Sequence, residues 1–255
     1  MGLYLIGLGI NPPDSISFEA VSLCAGADSV FIETYTNILN PDAKEQIEKV
    51  IGRKVELIER EALEDERDLL DAATEGECCL LVPGDPMVAT THINLAITAK
   101  KHGLGFRIVH ASSVTSAAAS ESGLQAYKFG AITTIPHFRQ NYSPTASLDV
   151  IAGNQKMGLH TLCLLDIDKV LGPLTVRQAC ENVLSMGGRK GTSVFSKSSR
   201  IVVLSRLGYP DQQVSYSKVS DLLETPDSSF KPPCCVIIPG KLHFIEEEFL
   251  ELVKR

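Results

Sequence analysis

The chain has no basic run. Its 24 Lys and Arg are outnumbered by 31 Asp and Glu, giving a net charge of −7, and no stripe of cations is present to track a phosphate backbone. Nucleic acid is therefore not an expected partner. No apolar stretch approaches the ~20 residues of a membrane span, and the first residues enter a strand-like run without the basic flank and cleavage site of a signal peptide. A cytoplasmic protein with no membrane partner is expected. Seven cysteines are present, at 24, 78, 79, 163, 180, 234 and 235, but none forms a CxxC pair, so zinc and thioredoxin signatures are both missing. Five of them lie in apolar strand-like runs and read as small buried hydrophobes. The six histidines show no HxxxH spacing, and no metal site is expected. Internal repeats and low-complexity tracts are absent.

What remains is an alternation of short apolar runs with longer amphipathic ones, the βαβ rhythm of a mostly parallel sheet. In the first half, strands are expected at Leu3–Ile10, Ser29–Glu33, Lys54–Ile58, Cys78–Val82 and Phe106–His110, with helices near 15–26, 41–51, 65–74 and 90–102. The second half has longer connections richer in Pro, Ser and Lys. Strands are expected there at Ala131–Ile135, His160–Ile167, Ile201–Arg206 and Cys234–Pro239, with Val214–Tyr216 a weaker one; helices are expected near 113–123, 145–156, 174–187, 217–224 and 244–254. The expected fold class is α/β, with two α/β domains, residues 1–111 and 112–255, carrying parallel or mixed sheets with a cleft between them.

Two loops hold most of the chemistry. In Leu80–His92 an apolar run breaks at Pro83-Gly84-Asp85-Pro86. The two prolines restrict φ on either side of Gly-Asp and fix the turn's shape. A loop at the carboxyl end of a buried strand is where open α/β sheets bind ligands, although Asp85 read alone serves equally well as a helix cap. The opening strand ends in Gly7-Leu-Gly-Ile-Asn-Pro-Pro-Asp14, which invites a dinucleotide reading with Glu33 as the ribose-binding acid. The motif fails at position 12, where Pro12 replaces the third glycine of GxGxxG. Gly187–Ser193 has the wrong spacing for a P-loop. A small-molecule loop that takes no pyrophosphate is the better description.

Six segments, in order, resemble one family: LYLIGLG at 3–9, VPGDPMVATTH at 82–92, VHASSVTSA at 109–117, GLQAYKFG at 123–130, GLHTLCLLDI at 158–167 and IIPGKLH at 237–243. Together they resemble the diphthine synthases, within the tetrapyrrole-methylase-like S-adenosylmethionine-dependent methyltransferases. The glycine and GDP loops are common to the wider class, whereas YKFG, LHTL-x-LLDI and PGKLH are specific to diphthine synthases. The chain lacks the insertion associated with eukaryotic members after LLDI and resembles the archaeal form. The resemblance implies a homodimer that binds S-adenosyl-L-methionine in the interdomain cleft and releases S-adenosyl-L-homocysteine. Motif matching carries the cofactor contacts to Ile10, Asp85, Val88, Ser113, Val114, Leu164, Leu207 and Cys234, the last two through backbone atoms. It also implies the substrate, the 3-amino-3-carboxypropyl arm on a histidine of elongation factor 2, whose amine receives up to three methyl groups.

The chemistry of these positions is consistent with such a ligand. Ile10, Val88, Leu164 and Leu207 offer an apolar lining for adenine. Asp85 offers an acceptor for ribose hydroxyls or an ammonium, and Ser113 at a helix start suits a carboxylate. Taken singly, each aliphatic reads as plain core. His92 borders the GDP loop as a ligand neighbour or as a capping residue. Tyr127–Gly130 either faces the acceptor or makes a turn, and Phe138–Tyr142 has the aromatic and cationic character of a surface for a protein loop. No residue declares itself as the proton acceptor that an amine needs before it attacks. A precorrin-type methylase and a non-catalytic nucleoside-binding module are the competing readings.

Overall fold

In a computed structural model, which describes residues 1–254, the chain divides into two compact units, Met1–Val114 and the remainder from Thr115 onward. The first unit comprises β1 (Gly2–Gly7), α1 (Phe18–Gly26), β2 (Ser29–Glu33), α2 (Ala43–Ile51), β3 (Glu56–Ile58), α3 (Arg60–Asp65), α4 (Arg67–Glu75), β4 (Glu77–Val82), α5 (Ile93–Lys101) and β5 (Gly105–Val109). All five strands are parallel, in the order β3-β2-β4-β1-β5. The runs of the central strands β1 and β4 are apolar without alternation because helices cover both faces. Cys79 and Leu81 of β4 pack with Ala20, Cys24, Ile47 and Ile51 of α1 and α2. Cys78, Leu80 and Val82 pack on the opposite face with Leu63, Leu69, Ala73, Leu95 and Ala99 of α3, α4 and α5. Leu5 and Leu80 are wholly buried, each contributing roughly 1.5–3 kcal/mol. The chain leaves β1 toward β2 and leaves β4 in the other direction, toward β5. The winding therefore reverses between β1 and β4, where an open α/β sheet leaves a crevice beyond its carboxyl ends.

The second unit is mixed. Beyond α6 (Val114–Glu121) come β6 (Thr133–Ile135), α7 (Ala146–Lys156), β7 (Thr161–Leu165), β8 (Ile167–Asp168), β9 (Gly172–Pro173), α8 (Val176–Lys190), β10 (Arg200–Ser205), β11 (Gln213–Lys218), α9 (Val219–Glu224), β12 (Cys234–Ile238) and α10 (Phe244–Leu252). The main sheet runs β11-β10-β12-β7-β6, with only β6 and β7 parallel. Its core joins Cys163, Ile201, Val203, Val236 and Ile238 to Ile151, Val183 and Met186. The cysteines are all free thiols and, apart from the half-buried Cys234, buried.

Four local departures from the expected elements have physical causes. β1 stops at Gly7 because the chain turns at Gly9, whose φ is +75°. The helix expected over 65–74 is α4, and an unexpected helix, α3, precedes it, parted from it at Glu66 with φ +62°. The strand expected over 160–167 breaks at Asp166, whose carbonyl accepts from Leu174 N at 2.8 Å and starts the β8–β9 hairpin. β11 is longer than its apolarity indicated. Ser215 and Ser217 are buried on it and hydrogen-bonded to each other at 2.7 Å, so a polar pair occupies positions that normally carry the hydrophobic signal.

The three most family-specific segments meet at one carboxylate. Glu246 on α10 is fully buried. Its Oε1 accepts from Gln125 N at 2.9 Å and from His160 Nε2 at 3.1 Å, and its Oε2 accepts from His243 N at 2.7 Å and from the Lys128 ammonium. His160 Nδ1 accepts from Gly240 N at 3.0 Å, so the ring proton sits on Nε2 and is given to Glu246. Lys128 also donates to Lys241 O at 2.7 Å. YKFG, LHTL and PGKLH are thus bound together within the second unit. Burial pushes the Glu246 carboxyl up, but Lys128, the two backbone amides and His160 outweigh it and hold it down at about 2. A depressed carboxyl adds stability above its ordinary value of 4.5 and loses it as pH falls toward 2. Glu246→Gln is expected to flatten that acid limb and to cost on the order of 3 kcal/mol at neutral pH, measured by urea unfolding between pH 2 and 7.

Candidate functional site

β1 and β4 end level, with Gly7 opposite Val82, and the loops that follow stay joined. Leu8 N donates to Val82 O at 2.9 Å, Gly9 N to Gly84 O at 3.1 Å, and Gly84 N to Gly9 O at 2.9 Å. Such close approach requires Gly7, where a Cβ would lie 2.7 Å from Ala111 Cβ and 2.8 Å from Gly84 O. Ser15 Oγ donates to Leu8 O at 2.7 Å and accepts from Asn11 N at 3.0 Å, closing the first loop on itself. Ile10 N donates to Ser112 Oγ at 3.3 Å, which brings in the loop after β5. The three loops at the switch point therefore form one hydrogen-bonded rim.

Asp85 holds that rim together. It is 8% exposed; Oδ1 accepts from Met87 N at 3.0 Å, and Oδ2 accepts from His110 Nδ1 at 2.8 Å and Ala111 N at 3.2 Å. Burial pushes its carboxyl up, but these three donors outweigh that and keep it below the usual carboxylate range. Of roughly four acceptor positions on a carboxylate, one on Oδ1 is left for a ligand. Beyond Asp85 the loop is held through Pro86 O, which accepts from Thr90 Oγ1 at 2.5 Å and His92 Nδ1 at 3.0 Å. His92 precedes α5 without capping it, and its buried Nε2 has no partner. Val88 is half-buried in the same loop. Ser113 is buried and Val114 opens α6.

The other three positions lie within the second unit at one end of its sheet. Leu164 on β7 is half-buried opposite Cys235, and Cys234 begins β12 opposite Ser205. Leu207 is buried just past β10, where Arg206 N donates to Pro233 O at 2.9 Å. The Cys234 thiol donates to Lys231 O at 3.2 Å, and burial pushes it up to about 11, far from a reactive thiolate.

The pattern described as Tetrapyrrole (Corrin/Porphyrin) Methylases matches residues 2–223. A diphthine synthase of Methanococcus aeolicus is 38% identical over 98% of this chain and 96% of its own, and one of Methanocaldococcus jannaschii is 37% identical over 98% and 97%. The chain belongs to the diphthine synthase family. A solved diphthine synthase superposes with a TM-score of 0.87 at 30% identity, covering all of this chain and 96% of that one. A conserved hypothetical protein of Aeropyrum pernix K1 superposes at 0.89 with 26% identity, over all of this chain and 90% of that one. The protein is accordingly an S-adenosylmethionine-dependent methyltransferase of diphthamide biosynthesis.

Two buried carboxylates of this chain carry roles that its sequence does not announce. Glu246 carried no signal because three of its donors are far upstream, Gln125 by 121 positions, Lys128 by 118 and His160 by 86. Glu33 was considered only as a ribose acid. At the end of β2 it is fully buried, opposite Ile58, and its carboxylate accepts from Thr36 N at 3.3 Å and from the Thr36 hydroxyl. Burial pushes it up to about 7, against the pull of those donors. Asp85→Ala is expected to weaken S-adenosylhomocysteine binding at least tenfold in titration calorimetry, by releasing the rim and removing the open acceptor. The far-ultraviolet circular dichroism spectrum should stay native, because no core side chain is lost.

Proposed function

We propose that this chain transfers methyl groups from S-adenosylmethionine to the amine of the 3-amino-3-carboxypropyl-histidine of elongation factor 2, three in succession, and that it works as a cytoplasmic homodimer. The reading is carried by near-full-length similarity to diphthine synthases together with a switch-point rim suited to a nucleoside. At Gly84, φ is +78° and nothing lies within 4 Å of where a Cβ would stand, so a ligand can meet the backbone there. The cofactor supplies a sulfonium-bound methyl, an amino-acid head and an adenosine. In this reading the amides of Ser113 and Val114 bind the carboxylate, and Asp85 gives its open Oδ1 position to a hydroxyl or ammonium. Ile10 and Val88 in the domain of residues 1–111 lie along adenine, and Leu164, Leu207 and the backbone of Cys234 in the domain of residues 112–255 complete the contacts.

Methyl transfer is an in-line displacement with a good leaving group, so alignment supplies most of the acceleration. No metal or covalent enzyme intermediate is invoked. The test is mass spectrometry of elongation factor 2 bearing the aminocarboxypropyl-histidine, after incubation with this protein and S-adenosylmethionine. A gain of three methyl groups on that histidine peptide is expected. No gain, with S-adenosylhomocysteine still bound, would redirect the search to precorrin-type substrates; no binding would leave neither methylase reading standing.

A further inference from the structure

Glu33 is a buried carboxylate at the carboxyl end of β2, and the proposed reaction needs a proton acceptor. Ile32 faces the layer of α1 and α2, whereas Phe31 and Tyr35 pack against the layer of α3, α4 and α5. Side chains alternate along a strand, so Glu33 occupies the α3–α5 side at the carboxyl end of β2, one strand from β4 and level with Val82, immediately before Pro83-Gly84-Asp85. No cation pairs with it among the described residues. Tyr35 lies beside it in the following turn and feels its charge. Arg60 and Glu64 of α3 reach toward Tyr35, but they pair with each other at 2.7 Å. Among the described residues the one side chain hydrogen-bonded to Glu33 is that of Thr36, which covers it with a hydroxyl donor and a backbone amide. Burying a carboxyl there without a counter-charge carries a cost, one that a purely structural role does not explain.

We propose that Glu33 is the terminal proton acceptor for the substrate amine, reached through the hydroxyl of Thr36. This rests on the methyl-transfer reading above. The substrate ammonium gives a proton to Thr36 Oγ1 as the hydroxyl's own proton passes to Glu33. The freed nitrogen lone pair forms the new N–C bond, and the breaking C–S bond returns its electron pair to sulfur as a thioether. Glu33 then loses the proton to water, and the cycle repeats while the nitrogen still carries one. Glu33 touches Thr36 rather than the substrate, so it acts as a positioning and proton-storing residue. Its position near 7 suits that task, since it is partly ionised at neutral pH.

The test compares wild type with Glu33→Gln, Thr36→Val and Thr36→Ser, using modified elongation factor 2. Wild-type kcat is expected to rise through a limb centred near pH 7. Glu33→Gln should lower kcat by about a hundredfold at pH 7, lose that limb and recover in alkali, where solvent deprotonates the amine, while S-adenosylhomocysteine affinity stays unchanged. Thr36→Val should behave alike and Thr36→Ser should be rescued. A second readout needs no turnover. A carboxyl raised in the folded state lowers stability as pH climbs from 4.5 to about 7, and Glu33→Gln should abolish that fall. A Glu33→Gln enzyme with the wild-type rate and pH limb overturns the proposal and leaves the methylation reading intact. A wild type that binds S-adenosylhomocysteine but never methylates the factor overturns both.

Discussion

The rim at the switch point depends on one constraint, the backbone contact between Gly9 and Gly84. Two parallel strands of a doubly wound sheet normally part company beyond their carboxyl ends, because their helices leave on opposite faces. Here the two loops beyond β1 and β4 turn back to meet in an isolated antiparallel bridge between Gly9 and Gly84, a close approach that needs Gly7 and Gly9 to present no side chain toward Ala111, Ser15 and Gly84 O. Asp85 adds the third loop by taking donors from both Met87 and the His110–Ala111 segment. A carboxylate at this point does more for shape than for charge. Three of its acceptor positions are spent on the protein, and a rim set in advance loses little entropy when a ligand arrives.

The second unit solves a different problem with the same chemistry. A buried glutamate with an ammonium, an imidazole and two amides around it is costly to desolvate, and it repays that cost only when every donor is present. Glu246 therefore acts as a register pin. If the segments around 128, 160 or 240 slipped by one residue, the carboxylate would be left short of partners. Lys128, His160 and Gly240 thereby tie α10 to the ends of β7 and β12.

Much of the architecture was legible in the sequence. Continuous apolar runs such as Cys78–Val82 marked strands covered on both faces, and the Gly7–Gly9 and Gly84 turns marked the carboxyl ends of β1 and β4. The errors were local and have a common origin. Glu66 and Gly9 adopt left-handed backbone that ends an element early, and Ser215–Ser217 satisfy each other in a buried strand. In each case a hydrogen bond or a single torsion outweighed the propensity of the surrounding run. Asp85 was legible as the centre of a fixed turn, but its partners were not, because His110 and Ala111 lie 25 and 26 positions away.

The sequence by itself determined the fold class, the location of the glycine and GDP loops and the family, since periodicity, turn chemistry and short motifs are encoded over a few neighbouring residues. Only the tertiary structure decided what the buried charges do. Glu33 lacks a counter-charge, Glu246 is surrounded by donors, and Asp85 is largely consumed by its own loops. The three are chemically alike in the sequence. They differ because solvation and hydrogen bonding are set by whatever distant chain folds around each carboxylate.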